Sequence, residues 1–173
     1  MELWEAIKKR RSIRSFQDRD VEEEKILKMI EAATWAPSAG NVQPWEFVVV
    51  RNPEIRKKLA EAAYNQRFIE KAPVDIVVVA DERRSAYAYG DRGRTLYCIQ
   101  DTAAAIQNML LVATEMGLGT CWVGAFNEQA VKELLGIPFG CRPVAIIAVG
   151  YPAETPSAPV RKNYKDLIHY DRF

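Results

Sequence analysis

Five of the seven residues from Lys8 to Arg14 are cationic, and Ser12 adds a hydroxyl among them. Guanidinium groups hold phosphate through charge-assisted, often bidentate hydrogen bonds, so Arg10, Arg11, Ser12 and Arg14 suit phosphate recognition. The same composition also fits a solvated helix end or a nucleic-acid patch, and the nearby Glu22-Glu23-Glu24 run cancels much of its field. A second polar stretch, Pro37-Ser38-Ala39-Gly40-Asn41-Val42-Gln43-Pro44, is dense in turn formers that hold neither a helix nor an interior strand. It is a loop with many free polar groups.

Other chemistries lack their parts. His169 is the only histidine and lies beside Tyr170 near the C-terminus, which leaves a serine or cysteine triad without its base. Asp81-Glu82 is a pair of acids at a strand end, where exposed carboxylates are common, so a glycosidase role has no further support. Gly117-Leu118-Gly119 follows a helix instead of a strand and meets its next glycine only at Gly124, so no dinucleotide fingerprint is formed. No glycine run leads into a Gly-Lys-Ser/Thr phosphate loop. Cys98, Cys121 and Cys141 are odd in number with no Cys-x-x-Cys spacing, which indicates buried thiols and neither a disulfide framework nor a metal site. Cations and polar loops without acid–base or nucleophile machinery suit a protein whose cofactor carries the hard chemistry.

The elements that must position these residues follow from periodicity. Leu3, Trp4 and Ile7 mark a short helix that runs into the basic turn. Asp20 is the expected N-cap of a second helix with acids in its first turn and an apolar face of Ile26, Leu27, Ile30 and Ala33, ending near Trp35. Trp45–Val50 and Val74–Ala80 read as strands covered on both faces. Between them Asn52 and Pro53 cap a helix that ends near Tyr64-Asn65. Residues 85–93 are weakly patterned and predict a loop or broken helix over the site. Arg94–Met116 predicts a long central helix, since Ala103–Ala113 has only Gln107 and Asn108 as polar members. Thr120–Val123 is strand-like, Asn127 caps a helix ending at Gly136, and Pro143–Val149 is a last buried strand. Beyond Gly150, three prolines keep the tail extended, and only Lys165–Ile168 has room for a helical turn.

With 173 residues, 49% hydrophobic and 27% charged, the chain fits one globular domain. A net charge of +1 disfavours general nucleic-acid binding. No apolar stretch approaches the ~20 residues needed to span a bilayer, and Met1–Glu5 lacks a secretory layout, so the expectation is a cytoplasmic protein without membrane partners.

Three segments in order, Arg10–Phe16, Pro37–Trp45 and Gln100-Asp101 through Gly117–Phe126, together resemble the FMN-dependent nitroreductase family over nearly the whole chain. That resemblance implies an α+β fold, a mixed β-sheet wrapped by helices, in an intertwined homodimer with two FMN molecules at the interface. Residues 1–151 would form the FMN-binding domain and residues 152–173 an arm, part of the same domain, laid on the partner. Arg10, Arg11 and Ser12 would meet the FMN phosphate and ribityl end, and Arg14 the flavin pyrimidine edge. Arg161, with Lys162 beside it, would add a phosphate ligand from the tail. Pro37, Ser38, Asn41 and Gln43 match the loop that the partner lays against the flavin, and Asn65 matches a residue facing the ring. Gly124 and Ala125 match the backbone near flavin N5, although many relatives carry Glu-Gly there.

The expected activity is ping-pong hydride transfer from NADH or NADPH through FMN to a nitroaromatic, quinone or related small-molecule acceptor, with Arg14, Gly124 and Ala125 as the catalytic set and no metal. Lid residues between Tyr64 and Arg94 would set the acceptor. A specialised family reaction, reductive dehalogenation or flavin fragmentation, is the alternative within the resemblance. A non-catalytic flavin-binding or nucleic-acid-binding module built on Lys8–Arg14 is the rival outside it.

Overall fold

The computed structural model describes all residues 1–173. A four-stranded sheet in the order β1-β2-β4-β3 is formed by β1 (Trp45–Val50), β2 (Val74–Asp81), β3 (Gly119–Val123) and β4 (Cys141–Gly150). All three pairings are antiparallel, and the parallel component of the expected mixed sheet is one bridge, Ser12 to Thr120. Side chains alternate across the pleat, so β2 sends Val74, Ile76 and Val78 into one core and Val77 and Val79 into another. The first core is closed by α2 (Glu23–Thr34) and α6 (Cys98–Glu115) through Ile26, Met29, Ile106 and Met109. On the opposite face α3 (Pro53–Ala62), α4 (Phe68–Lys71) and α7 (Glu128–Leu135) contribute Leu59, Ile69 and Val131. α1 (Leu3–Lys9) and α5 (Glu82–Arg92) lie outside these layers' centres and bury one residue each, Ala6 and Ser85.

β2 is nearly wholly buried, as its apolar run predicts, but β1 is not. As an edge strand it leaves Glu46 and Val49 exposed and Phe47 and Val48 half-buried. Asp20 does not cap α2, which starts at Glu23 with Glu22 in the cap position and no side-chain cap. The Glu22 carboxylate is taken instead by the Tyr151 hydroxyl. Asn52 does cap α3, accepting the N–H groups of Glu54 and Ile55, and Asn127 caps α7 through the Ala130 N–H. The segment over 85–93 is a broken helix, with non-helical backbone at Tyr89 and Gly90, and a π-turn over Gly93–Tyr97 joins it to α6. α6 therefore begins at Cys98, four residues later than periodicity indicates. The four-residue α4 is too short to carry a period and has no counterpart in the sequence expectations. No helix is long and apolar enough to cross a membrane.

Candidate functional site: a basic seam along β3

The segment after α1 runs beside β3 as a short parallel seam. The Ile13 N–H donates to the Thr120 carbonyl at 2.9 Å. A Cβ on Gly119 would stand 2.8–2.9 Å from the Ile13 side chain, so only glycine lets the seam approach this closely. The other side of the seam is held by the chain leaving β4. Phe16 bridges Pro152, Gln17 and Ala153 donate to the Tyr151 and Ser15 carbonyls, and one carboxylate oxygen of Glu154 accepts the N–H groups of Arg14 (2.6 Å) and Ser15 (3.1 Å).

This pinning fixes a row of cations. Arg10 and Arg11 line a cleft of about 230 Å³ with Ile13, Thr114, Gly119 and Glu154. Arg11 turns one nitrogen onto the Lys8 and Arg10 carbonyls at the end of α1, and its Nε is buried without a partner. Arg14 lies further along, its guanidinium 5.9 Å from the centre of the Phe68 ring. None of Arg10, Arg11 and Arg14 is paired with a carboxylate, whereas seven other arginines are. Burial pushes the Cys121 thiol pKa up against the opposing pull of Arg14 and Arg10, so both charges act on the middle of β3. The Ser12 hydroxyl makes no hydrogen bond within the chain and is exposed.

At the far end of β3, Gly124 and Ala125 are exposed and their N–H groups donate to nothing in the chain. A Cβ on Gly124 would meet no atom within 4 Å. The turn is nevertheless fixed, because Gln66 donates to the Ala125 carbonyl at 3.0 Å and the Asn127 N–H to the Ala62 carbonyl at 2.8 Å. Asn65 adjoins Gln66, is exposed and has a left-handed backbone (φ 60°). Thr120 and Gly124 are four strand residues apart, about 13 Å. Cations without carboxylate partners and unused backbone donors thus stand at opposite ends of one strand. An elongated ligand, anionic at one end and a flat acceptor of hydrogen bonds at the other, fits this layout, and FMN has that chemistry.

Two predicted groups are not brought to this seam. The Pro37–Gln43 loop sits at the other end of α6, where the Ala39 N–H donates to Asp101 at 3.2 Å. Asp101 and the cleft-lining Thr114 are thirteen residues apart, about 20 Å along the helix. Within the loop, Ser38 Oγ accepts the Gln43 N–H, and Gly40, Asn41 and Gln43 all have positive φ, while Pro37 is exposed. Arg161 and Lys162 are exposed and unpaired, and the cleft lining stops at Pro156. Every residue from 157 to 173 is exposed, and its hydrogen bonds stay within the segment.

Sequence reasoning missed Glu154, Gln66 and the role of Asp101. Glu154 lies 140 positions from Arg14, and no local pattern announces such a contact. Asp101 did leave a signal, an acid at the start of an otherwise apolar helix face.

The nitroreductase family model matches residues 7–67 and 61–151. A provisionally named NADH dehydrogenase/NAD(P)H nitroreductase of Archaeoglobus fulgidus is 41% identical over 149 residues, 84% of this chain and 82% of its own. FMN reductase [NAD(P)H] of Bacillus subtilis is 30% identical over 99% of this chain and 74% of its own. The solved NADPH:FMN oxidoreductase of Vibrio harveyi in complex with NAD+ superimposes with a TM-score of 0.91 at 30% identity, covering 99% of this chain and 77% of that one. With the seam, the fold and these matches in agreement, the chain belongs to the nitroreductase family.

Proposed function

We propose that two copies of this chain form an FMN-dependent oxidoreductase that takes hydride from NADH or NADPH and delivers it to a nitroaromatic, quinone or related small acceptor. Family membership and the activities named for its relatives make it an enzyme that uses FMN and NAD(P)H. The observation that carries the residue assignment is the seam: arginines with no carboxylate partner, one of them with a buried Nε unbonded, and unused N–H groups at the two ends of one strand. Bound FMN supplies the two-electron chemistry at N5.

The chain's own residues bind, orient and polarise. Arg10, Arg11 and Ser12 hold the phosphate and ribityl end, and Arg14 sets a positive charge beside the pyrimidine edge, where negative charge accumulates on reduction. The Gly124 and Ala125 N–H groups would be the donors to N5 of a bound flavin, on a turn held by Gln66. Asn65 stands at the same end of the site. Reductant and acceptor use the same exposed face in turn, which yields ping-pong kinetics.

A second copy supplies what the protomer lacks. About 20 Å of α6 separates the Pro37–Gln43 loop from the seam, so Pro37, Ser38, Asn41 and Gln43 serve the partner's flavin. Leu3 and Trp4 on α1, Leu27 on α2 and Trp35 at its C-cap stay exposed, the apolar surface expected of an interface. The arm, with Arg161 and Lys162, completes the phosphate site from across that interface. Purified protein should be yellow, release FMN on denaturation and bleach when mixed anaerobically with NADH or NADPH in a stopped-flow instrument. Colourless protein that FMN does not reconstitute would sink this function.

A further inference from the structure

Asp101 and Thr102 are both buried on α6, yet they differ in how they are satisfied. The Thr102 hydroxyl donates to the Cys98 and Ile99 carbonyls at 2.7 and 3.1 Å. Asp101 accepts one N–H, from Ala39, and its second oxygen is buried with no partner. Burial holds its carboxyl above the ordinary carboxylate range, against the opposing Ala39 hydrogen bond. A half-satisfied buried acid weakens a fold, and such groups persist where they do something other than stabilise.

The loop on the other side of that hydrogen bond is strained. Asn41 and Gln43 are non-glycine residues at φ 53° and 54°, a conformation that persists only when its surroundings over-determine it. Apart from the Ser38–Gln43 bond inside the loop, those surroundings come from the α5–α6 region. Arg84 donates to the Gln43 carbonyl at 2.6 Å, and the Tyr89 hydroxyl packs where a Cβ on Gly40 would lie. The Asp101 carboxylate is the tether that reaches the first turn of the loop.

We propose that Asp101 is the positioning residue of the Pro37–Gln43 loop, fixing through the Ala39 N–H the rotation at which Ser38, Asn41 and Gln43 meet the flavin of the second copy. The inference rests on the FMN reading above. Asp101 touches no reacting atom and acts only through Ala39. Its unpartnered oxygen leaves the tether without a competing bond.

The test uses flavin-loaded dimers. Asp101→Ala should raise the FMN dissociation constant by up to about tenfold, the worth of one hydrogen bond, and alter the visible circular dichroism of the bound flavin. Its apo melting temperature should stay within a few degrees of wild type. Asp101→Asn should restore both flavin readouts, since the amide oxygen still accepts the Ala39 N–H. Ala39→Pro removes the donor from the other side, and Ser38 is already extended as a residue before proline must be (φ −140°, ψ 154°). It should reproduce the alanine phenotype if Asp101→Ala fails to fold. Refolded mixtures of Asp101→Ala with Arg10→Ala should regain one site per dimer with wild-type affinity and dichroism, because one interface then pairs an intact loop with an intact seam. Unchanged flavin affinity in Asp101→Ala, no rescue by asparagine, or no native site in the mixed dimer would each overturn the proposal. Wild-type protein that binds no FMN would overturn the FMN reading itself, before Asp101 is questioned.

Discussion

The seam from Arg10 to Phe16 and the tail from residue 157 onward are both irregular and both carry cations, but only the seam has a fixed place. Its order comes from backbone partners on two sides: Thr120 of β3 on one, and Tyr151, Pro152 and Glu154 on the other. The tail has a single turn over Tyr164–Leu167 and a His169–Phe173 stack at 4.3 Å, with Val160, Tyr170 and Phe173 almost wholly exposed. A segment needs no helix or strand of its own to keep a fixed place, provided another segment satisfies its N–H groups. The tail finds no such partner within its own protomer, which is what the proposed arm on a second copy requires.

The largest expected effect follows from where the pinned part stops. The sequence places the arm from residue 152, whereas Pro152 and Glu154 hold the seam. Deleting residues 157–173 should leave the protomer's circular dichroism intact while dimer stability and FMN occupancy collapse, since embracing arms belong to obligate interfaces of ~2,000–5,000 Å². Deleting residues 152–173 should also lower the melting temperature of the body. Sedimentation at low concentration reads the first effect and calorimetry the second. A truncated protein that stays dimeric and yellow would break the contrast.

Within the seam the two ends should separate. Arg10→Ala removes a charge-assisted phosphate contact of ~1.5–3 kcal/mol, and titration should show FMN binding weakened roughly 10- to 150-fold. Arg14→Gln should leave FMN bound and lower its reduction potential, by about 30 mV for each factor of ten lost in relative affinity for the reduced form. Spectroelectrochemistry that finds an unchanged potential would remove Arg14 from the pyrimidine edge.

These contrasts also mark what the sequence makes legible. β2, β4, α6 and the caps at Asn52 and Asn127 follow from apolar runs and cap chemistry acting over a few residues. The basic run and the polar loop are visible as compositions, and their proposed roles come from the resemblance. What stays hidden is tertiary. Whether an apolar strand is central or at the edge depends on sheet order, which misplaced β1 as covered on both faces. The break at Tyr89-Gly90 is visible only as weak patterning, and the contacts of Glu154 and of Ala39 with Asp101 join distant segments that no local window shows.

A smaller effect sharpens the account of how the seam is held. Glu154→Ala leaves the Arg14 and Ser15 N–H groups to water, and because the site is exposed the cost should be ~0.5–1.5 kcal/mol. For a chain of this size that is a fall of about 1–6 °C in melting temperature. FMN affinity should drop with it. An intact melting temperature and affinity would show that the Pro152 bridge alone suffices.

The smallest expected effect concerns the acid stability of the segment that pins the seam. Tyr151 sits under the Arg19 guanidinium, 3.7 Å from its ring centre, and its hydroxyl donates to Glu22 and accepts from Lys25. The Tyr151 hydroxyl, followed by the backbone at Glu22 and the charges of Lys25 and Arg19, holds the Glu22 carboxyl at about 2 instead of the usual 4.5. A folded-state value below the unfolded one means that unfolding takes up a proton, so the contribution is fully present above 4.5 and is lost as pH falls toward 2. Because Glu22 is solvent-exposed, screening keeps the effect small. Wild-type protein should therefore lose melting temperature across that window more steeply than Glu22→Gln, and Tyr151→Phe should behave like the glutamine variant, since it removes the donor. Parallel pH profiles for all three proteins would detach the acid from the tyrosine, and would leave the seam pinned by its backbone bonds alone.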